Sequence, residues 1–295
     1  MFKSSTLVVL PILVCLSVAA AAHGQPADSD WTLERMEWSS PVEELQTVTI
    51  TNHYGAIRIS GTSGDLAEIA EFHGMAQYHA EDPRRPVLVS HLEDGALSLE
   101  ITYPNDAEVA DPPDSWRKRR TDITVYVDGS SQLNLETLHG DVVIRGYSGP
   151  IDIRSESGDV EIKAEGPLQV LSKYGAVKTL FQSAELPTPL VLETLTGSIL
   201  LSLPWHADPK ASLETRGEMT SDYSIDIEWL PDSILKRGSV GGGPSSEPIL
   251  LRSNQGNIRL LRRIDDRRSE PSENQKPSEN QKPSETNAET LESSS

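Results

Sequence analysis

The sequence of this 295-residue chain predicts an all-β fold, a single β-solenoid (parallel β-helix-like) built of short two-strand rungs. One observation is a recurring phrase of Thr or Ser, two further residues, Gly and then alternating aliphatics, as in residues 155–162. A second is its spacing, because the steps from Gly140 to Gly158, Gly175 and Gly197 are 18, 17 and 22 residues, typical of stacked supersecondary units. The third is its constant orientation, which favours parallel stacking over the competing architecture, a β-sandwich of regular hairpins.

The chain begins with a segment typical of a secretion signal, residues 1–24. Lys3 supplies positive charge, residues 7–18 are apolar, and small residues follow as a cleavage zone. The apolar stretch is shorter than the ~20 residues of a spanning helix. We therefore expect cleavage, no transmembrane segment afterwards, and a periplasmic, cell-envelope or extracellular location. An uncleaved anchor and lipidation at Cys15, the one cysteine, are the alternatives.

The next two segments are less regular. Residues 25–45 form a polar leader, and residues 46–128 form an N-terminal β region with an early copy of the phrase at Gly55. Asp94-Gly95 between alternating apolar runs is a strong signal for a β-hairpin. Residues 104–120 interrupt the alternation with prolines and charges, which predicts a loop insert.

Residues 129–262 are predicted to form the solenoid repeats. Ile151 and Ile153 share one face of a short strand, Gly158 turns the corner with a positive φ, and the next strand points its aliphatics to the same interior. One rung cannot bury this face alone, so each rung needs neighbours on both sides. The predicted structural turn glycines are Gly55, Gly140, Gly158, Gly175, Gly197, Gly217 and Gly256. The predicted core of the repeats comprises the aliphatic residues Leu133, Leu135, Val142, Ile144, Ile151, Ile153, Val160, Ile162, Leu168, Val170, Val177, Leu190, Leu192, Ile199, Leu201, Leu213, Ile225, Ile227, Leu251, Ile258 and Leu260.

Two later stretches depart from the repeat. Residues 229–248, which contain three consecutive glycines, predict a loop before the last rung. From 263 to 295 the chain is of low complexity, with the hexapeptide that starts at Pro271 copied at Pro277. Such a segment has too few apolar residues to form a core, so a disordered C-terminal tail is predicted.

Charge and motif content narrow the function classes. The formal net charge of −19 repels nucleic acid, which is therefore not a predicted partner. The histidines lack the spacing of a zinc motif, and Asp141 and Asp159 are interpreted as solvent-facing turn residues rather than a calcium site or glycosidase pair. No nucleophile elbow or phosphate-binding loop occurs. The sequence predicts no catalytic, metal-binding or cofactor-binding residues.

One basic run lies in the predicted loop insert. Trp116, Arg117, Arg119 and Arg120 are candidate binding residues, because clustered cations can hold an anionic glycan or lipid and tryptophan can stack on a sugar ring. A solvated loop, or a tryptophan that covers an open sheet edge, would explain the same residues.

These phrases resemble the bacterial putative-adhesin family, a group of β-strand-repeat domains of unknown function. The similarity covers residues 46–261 and rests on Thr/Ser-x-x-Gly-Asp-Val-x-Ile at 155–162, on a strand ending at Leu203-Pro204, and on a glycine-rich loop before Gly256-x-Ile-x-Leu. The resemblance implies a β-helix-like fold and an exported or envelope location. It implies no catalytic residues.

Three functions follow as hypotheses. The first is a non-enzymatic envelope protein whose solenoid surface binds or scaffolds an unknown envelope component or glycan. The second is a polysaccharide lyase or hydrolase, which would need charged side chains converging from adjacent rungs. The third is a self-associating structural protein, because open-ended solenoids can stack end to end.

Overall fold

The computed structural model describes residues 31–79, 85–104, 119–229, 234–241 and 249–263, which form an all-β architecture. One short 3₁₀-helix, Gly64–Glu68, accompanies the strands, and the described ranges contain no helix long and apolar enough to span a membrane. The strands are β1 (Trp31–Pro41), β2 (Thr47–Asn52), β3 (Ile57–Thr62), β4 (Ile69–His79), β5 (Val87–Glu93), β6 (Ala96–Thr102), β7 (Arg120–Asp128), β8 (Gln132–His139), β9 (Val142–Tyr147), β10 (Ile151–Ser157), β11 (Val160–Ala164), β12 (Leu168–Tyr174), β13 (Val177–Phe181), β14 (Leu190–Thr194), β15 (Ile199–Pro204), β16 (Ala211–Thr215), β17 (Met219–Ser221), β18 (Asp226–Trp229), β19 (Lys236–Val240), β20 (Ile249–Ser253) and β21 (Ile258–Arg263).

The strands form two open, mixed sheets. Sheet A has the order β1-β4-β7-β3-β9-β11-β13-β15-β21-β17, and sheet B has the order β18-β19-β16-β20-β14-β12-β10-β8-β2-β6-β5. The inward side chains of both sheets belong to one hydrophobic cluster, so the sheets pack face to face. Each repeat contributes one strand to each sheet, because its corner glycine lies between the two strands.

The repeats pair in parallel and in the register of the sequence phrase. Ile151 lies opposite Leu133 on one side and Leu168 on the other in sheet B. In sheet A, Val160 lies between Val142 and Val177 in the same way. A one-residue slip would turn the aliphatics outward, so the buried face fixes this register.

The spatial order of the repeats departs from chain order at both ends. The pair β6–β7 stacks outside β2–β3, although it follows that pair in the chain. At the other end, β20–β21 lies between β14–β15 and β16–β17, so the last repeat of the chain is an interior one. Only β8 to β15 advance in chain order through both sheets.

Most predicted core residues are buried, and the exceptions lie on one strand and beside it. Ile227 is 44% exposed and Ile225 is only partly buried. Ile227 belongs to β18, an edge strand that pairs antiparallel with β19. The interpretation of residues 229–248 as a loop is therefore wrong in part, because β19 extends sheet B from within that stretch.

The hairpin and the polar leader both contribute strands to the sheets. The hairpin predicted around Asp94-Gly95 is present as the antiparallel pair β5–β6. The polar leader contributes β1, which pairs antiparallel with β4. The predicted signal segment 1–24, Trp116, Arg117 and residues 264–295 of the predicted tail lie outside the described residues.

Candidate functional site

The corner glycines stack directly on one another. A Cβ at Gly158 would overlap the carbonyl oxygen of Gly140, and a Cβ at Gly175 would overlap that of Gly158. Gly158 also has a φ of 115°, which disfavours side chains. Gly197 is not among the residues of positive φ, yet a Cβ there would overlap the carbonyl oxygen of Gly175. The close approach of neighbouring rungs therefore requires glycine at the corner. This requirement is separate from the positive φ that the sequence predicts.

The Thr/Ser column of the phrase is buried beside these corners. Thr194 Oγ1 accepts a hydrogen bond from the Gly197 amide at 3.0 Å, and Ser253 Oγ accepts one from the Gly256 amide at 2.8 Å. Ser253 Oγ also donates to the carbonyl of Gly197 at 2.8 Å, which links successive rungs. Thr194 and Ser253 thus hold their turns, as turn residues of this type commonly do. The same column contains three hydroxyls that are buried without a hydrogen-bond partner among the described residues, those of Thr137, Ser155 and Ser172.

The residue after each glycine forms a second column that links rungs. Asp141 Oδ1 accepts the amide of Asp159 at 2.9 Å, and Asp159 Oδ1 accepts the amide of Ala176 at 2.8 Å. Ser198 and Asn257 continue the pattern further along sheet A. The aspartates are thus turn residues engaged with backbone, and no group of three or more His, Cys, Asp or Glu within the described ranges is arranged to hold a metal ion.

An aromatic cluster encloses Arg119, one of the predicted binding residues. Arg119 is 2% exposed, and its guanidinium carbon lies 4.9 Å from the ring centre of Tyr103 and 5.4 Å from that of Tyr54. Cation–π contacts of this kind stabilise a buried guanidinium. Arg120 is exposed, with its Nε 3.4 Å from Asp122 Oδ2. The structure therefore places Arg119 in the interior and Arg120 at the surface.

A histidine–serine contact lies in the neighbouring corner. His139 Nδ1 is 2.6 Å from Ser157 Oγ, and its ring stacks on Tyr54. Burial lowers the pKa of His139, while the charge of Glu156 acts in the opposite direction. Ser157 Oγ donates to the Leu138 carbonyl at 3.2 Å, so Nδ1 is the donor when both contacts are hydrogen bonds. An imidazole that donates to the hydroxyl does not activate it as a nucleophile.

The candidate binding site is a groove of about 490 Å³ on the outer face of sheet B. Its centre is a row of directly opposed residues from successive strands: Glu136, Arg154, Leu171, Glu193 and Arg252. No motif in the sequence pointed to this site. The side chains of this row come from separate repeats, so no local motif contains them. The one sequence feature that they share is their position, since each is the outward residue directly before the buried Thr or Ser of its repeat.

The groove combines exposed leucines with paired charges. Leu171 is 46% exposed and Leu195 is 42% exposed. Lys173 Nζ lies 3.2 Å from Glu156 Oε1, and the Arg252–Glu193 pair is separated by 3.0 Å. The lining contains as many carboxylates as cations, namely Glu136, Glu156 and Glu193 with Arg154, Lys173 and Arg252. This surface is close to neutral on a chain whose net charge is −19.

Charged groups that could perform catalysis do not converge in the described interior. Arg119 is the one charged side chain found there among the described residues. The polysaccharide lyase or hydrolase hypothesis needs charged side chains from adjacent rungs to meet in a groove. In the groove on sheet B, charged side chains from adjacent strands do meet, and two of its three carboxylates are held in ion pairs, Glu156 with Lys173 and Glu193 with Arg252. The arrangement can hold a ligand by packing and hydrogen bonds.

Comparison with known proteins gives distant structural likenesses. No family model and no curated protein matches the chain. Similar solved structures include a putative cell adhesion protein from Clostridium sporogenes ATCC 15579, with 13% sequence identity, a TM-score of 0.42, and coverage of 78% of this chain and 100% of that chain. A putative adhesin from Bacteroides fragilis NCTC 9343 has 15% identity, a TM-score of 0.41, and coverage of 81% and 100%. A putative adhesin from Parabacteroides distasonis ATCC 8503 has 7% identity, a TM-score of 0.26, and coverage of 79% and 98%. These names agree with the family that the sequence motifs resemble, and the likeness is too distant to assign an activity to this chain.

Proposed function

We propose that this protein is an exported, non-enzymatic binding protein of the cell envelope. We further propose that its repeats form a short β-solenoid and that the groove on sheet B is its binding surface. The observation that carries the proposal is the neutral, leucine-containing groove on a strongly acidic chain. The signal-like segment 1–24 supports export.

The groove has the composition of a surface that another molecule covers. Single exposed leucines are ordinary on protein surfaces, but Leu171 and Leu195 line the same depression. At long range the net charge of the chain disfavours polyanions wherever the local surface offers no unpaired cations, whereas a ligand with few charges meets little repulsion at this neutral surface. The ligand that fits is an uncharged or charge-balanced part of an envelope glycan or protein, and binding it would make the chain adhesin-like in function.

The test is co-sedimentation of the purified chain with isolated cell-envelope and polysaccharide fractions, with and without EDTA. We expect saturable binding to one fraction that EDTA does not change, because the aspartates of the corner columns are engaged with backbone amides. Leu171→Glu should weaken binding at least about tenfold by placing an unpaired charge in the groove. Leu66→Glu is the matched control, because Leu66 is 71% exposed and lies outside the groove. Equal binding by both variants, or no binding by the unmodified chain, would contradict the proposal.

Self-association is a second candidate, favoured by the edge strand β5. Val87 and Val89 are 45% and 48% exposed on this strand, which ends sheet B. An edge strand that exposes valines and carries no lysine or proline is open to pairing with a second copy. Sedimentation velocity should then show concentration-dependent association that Val89→Lys abolishes. A monomer at all concentrations would exclude this candidate.

A further inference from the structure

The outer face of sheet A carries a row of cations that the groove does not use. Arg58, Arg145, Lys163 and Lys178 are exposed on β3, β9, β11 and β13, which are consecutive neighbours in the sheet. Arg145 lies directly opposite Lys163, while Arg58 and Lys178 flank them diagonally. We call these four residues the cationic strip. With adjacent strands about 4.8 Å apart, the strip extends roughly 14 Å across the sheet.

Three of the four cations have no carboxylate partner among the described residues. Within the described part of the chain, no carboxylate lies within ion-pair distance of Arg58, Arg145 or Lys163, whereas Lys178 Nζ lies 3.3 Å from Glu161 Oε2. Several exposed cations elsewhere on the sheets are paired, as at Arg154 with Asp152 and Arg252 with Glu193, although Arg259 on β21 has no ion pair among the described residues. The chain has 45 acidic and 26 basic residues, so a cluster of cations with no nearby described carboxylate is unlike the acidic composition of the chain as a whole.

The cross-strand pair Arg145–Lys163 is unfavourable for the isolated sheet. Like charges directly opposite on neighbouring strands repel each other, and an anion placed between them removes this repulsion. Ser60 lies opposite both Arg145 and Tyr126, and Tyr126 is 37% exposed. The row therefore continues from Arg145 to the hydroxyl of Ser60 and then to the ring of Tyr126. A hydroxyl can hydrogen-bond to a sugar, and an aromatic ring can stack on one.

We propose that the cationic strip binds an anionic polysaccharide through carboxylates of its uronic-acid units. An extended chain laid across the strands would present anions to the directly opposed pair Arg145 and Lys163, with Arg58 and Lys178 offset by two residues along their strands. The narrowness of the strip favours one polymer chain over a membrane. A planar anionic membrane would also be repelled by the net negative charge of the chain. The cationic strip lies on sheet A and the groove on sheet B, so the two binding proposals can be tested independently.

Binding to polygalacturonate tests the proposal, with dextran as the neutral comparison. We expect the full chain to bind polygalacturonate at low salt, to lose it at high salt, and not to bind dextran. The double variant Arg145→Gln, Lys163→Gln should bind at least about tenfold more weakly, because two of the three unpaired cations are removed. The matched control is Arg35→Gln, Arg237→Gln, which makes the same change in net charge. Both control residues are exposed and paired, with Glu37 and Glu214 respectively.

The control variant should change affinity less than about twofold, since it alters only long-range electrostatics. Equal losses in the two double variants would show that net charge and not the strip controls binding, and would overturn the proposal. Absence of polygalacturonate binding by the unmodified chain at low salt would also overturn it. So would stronger binding to phosphatidylserine vesicles than to the polymer, which would assign the strip to a membrane.

Discussion

Replacing Gly158 with alanine tests the reason for glycine at every corner. A Cβ there would overlap the carbonyl oxygen of Gly140, which belongs to the neighbouring rung. The φ of 115° adds strain of about 1–2 kcal/mol for any side chain. The overlap can be relieved only by moving two hydrogen-bonded strands apart, because the obstructing atom is backbone. We therefore expect a loss of at least about 3 kcal/mol in the free energy of unfolding.

Two other glycines separate the contributions in the same assay, equilibrium unfolding in urea. Gly64 has a φ of 63°, and a methyl group added to its Cα would have no neighbour within 4 Å, so Gly64→Ala should cost about 1–2 kcal/mol from φ alone. Gly241 has open space and no positive φ, so Gly241→Ala should be neutral or stabilise by up to about 1 kcal/mol. If Gly158→Ala costs no more than Gly64→Ala, close packing between rungs is not the constraint and the reasoning is refuted.

Two further predictions concern buried polar groups. Thr179 Oγ1 is fully buried and has no hydrogen-bond partner within the described part of the chain, so Thr179→Val should stabilise the fold by about 1–2 kcal/mol, or roughly 2–8 °C in Tm. Thr194→Val should instead destabilise it by about 1–2 kcal/mol, because the hydrogen bond from the Gly197 amide is lost. Thermal unfolding measures both, and a destabilised Thr179→Val would contradict the first. Burial raises the pKa of Tyr147 from 10.0 to about 12. The folded state therefore retains a proton that the unfolded state loses, and stability present below pH 10 should decline between pH 10 and 12 by up to about 3 kcal/mol. Tyr147→Phe should remove this part of the pH dependence in urea unfolding, and an unchanged slope would contradict the assignment.

The regular part of the fold was predictable because one local pattern controls both pairing and burial. In β8 to β15, alternating aliphatics define the inward face and the glycine defines the corner. β4 was not located individually within the predicted N-terminal β region, because Ala70, Gly74 and Ala76 occupy many of its inward positions and small residues give little alternating hydrophobic signal. β19 was missed for a related reason, since an edge strand buries little and needs no alternation. At β18 the alternation of Ile225 and Ile227 predicted buried positions, whereas the strand lies in an edge hairpin and Ile227 is exposed.

The candidate sites could not be predicted from any single repeat. Leu171 and Glu193 are ordinary outward residues in their own strands, and they form part of a groove only because β12 and β14 pair in register. The same holds for Arg145 and Lys163, which are 18 residues apart in the chain and directly opposite in sheet A. Arg119 shows the converse, because a basic run that indicated surface binding contains a side chain buried between tyrosines.

The interior position of the last repeat has a consequence for how the chain can fold during synthesis. Strands β8 to β15 can stack one after another as they leave the ribosome, and β16–β17 follows them. The position between β14–β15 and β16–β17 must stay vacant, however, until β20–β21 has been made and inserted there. The nascent protein therefore exposes the edges of β14 and β15 on one side of the gap and those of β16 and β17 on the other until β20–β21 is made. During this interval aggregation or chaperone capture competes with folding. A nonsense mutation just before Ile249 would make that transient state permanent.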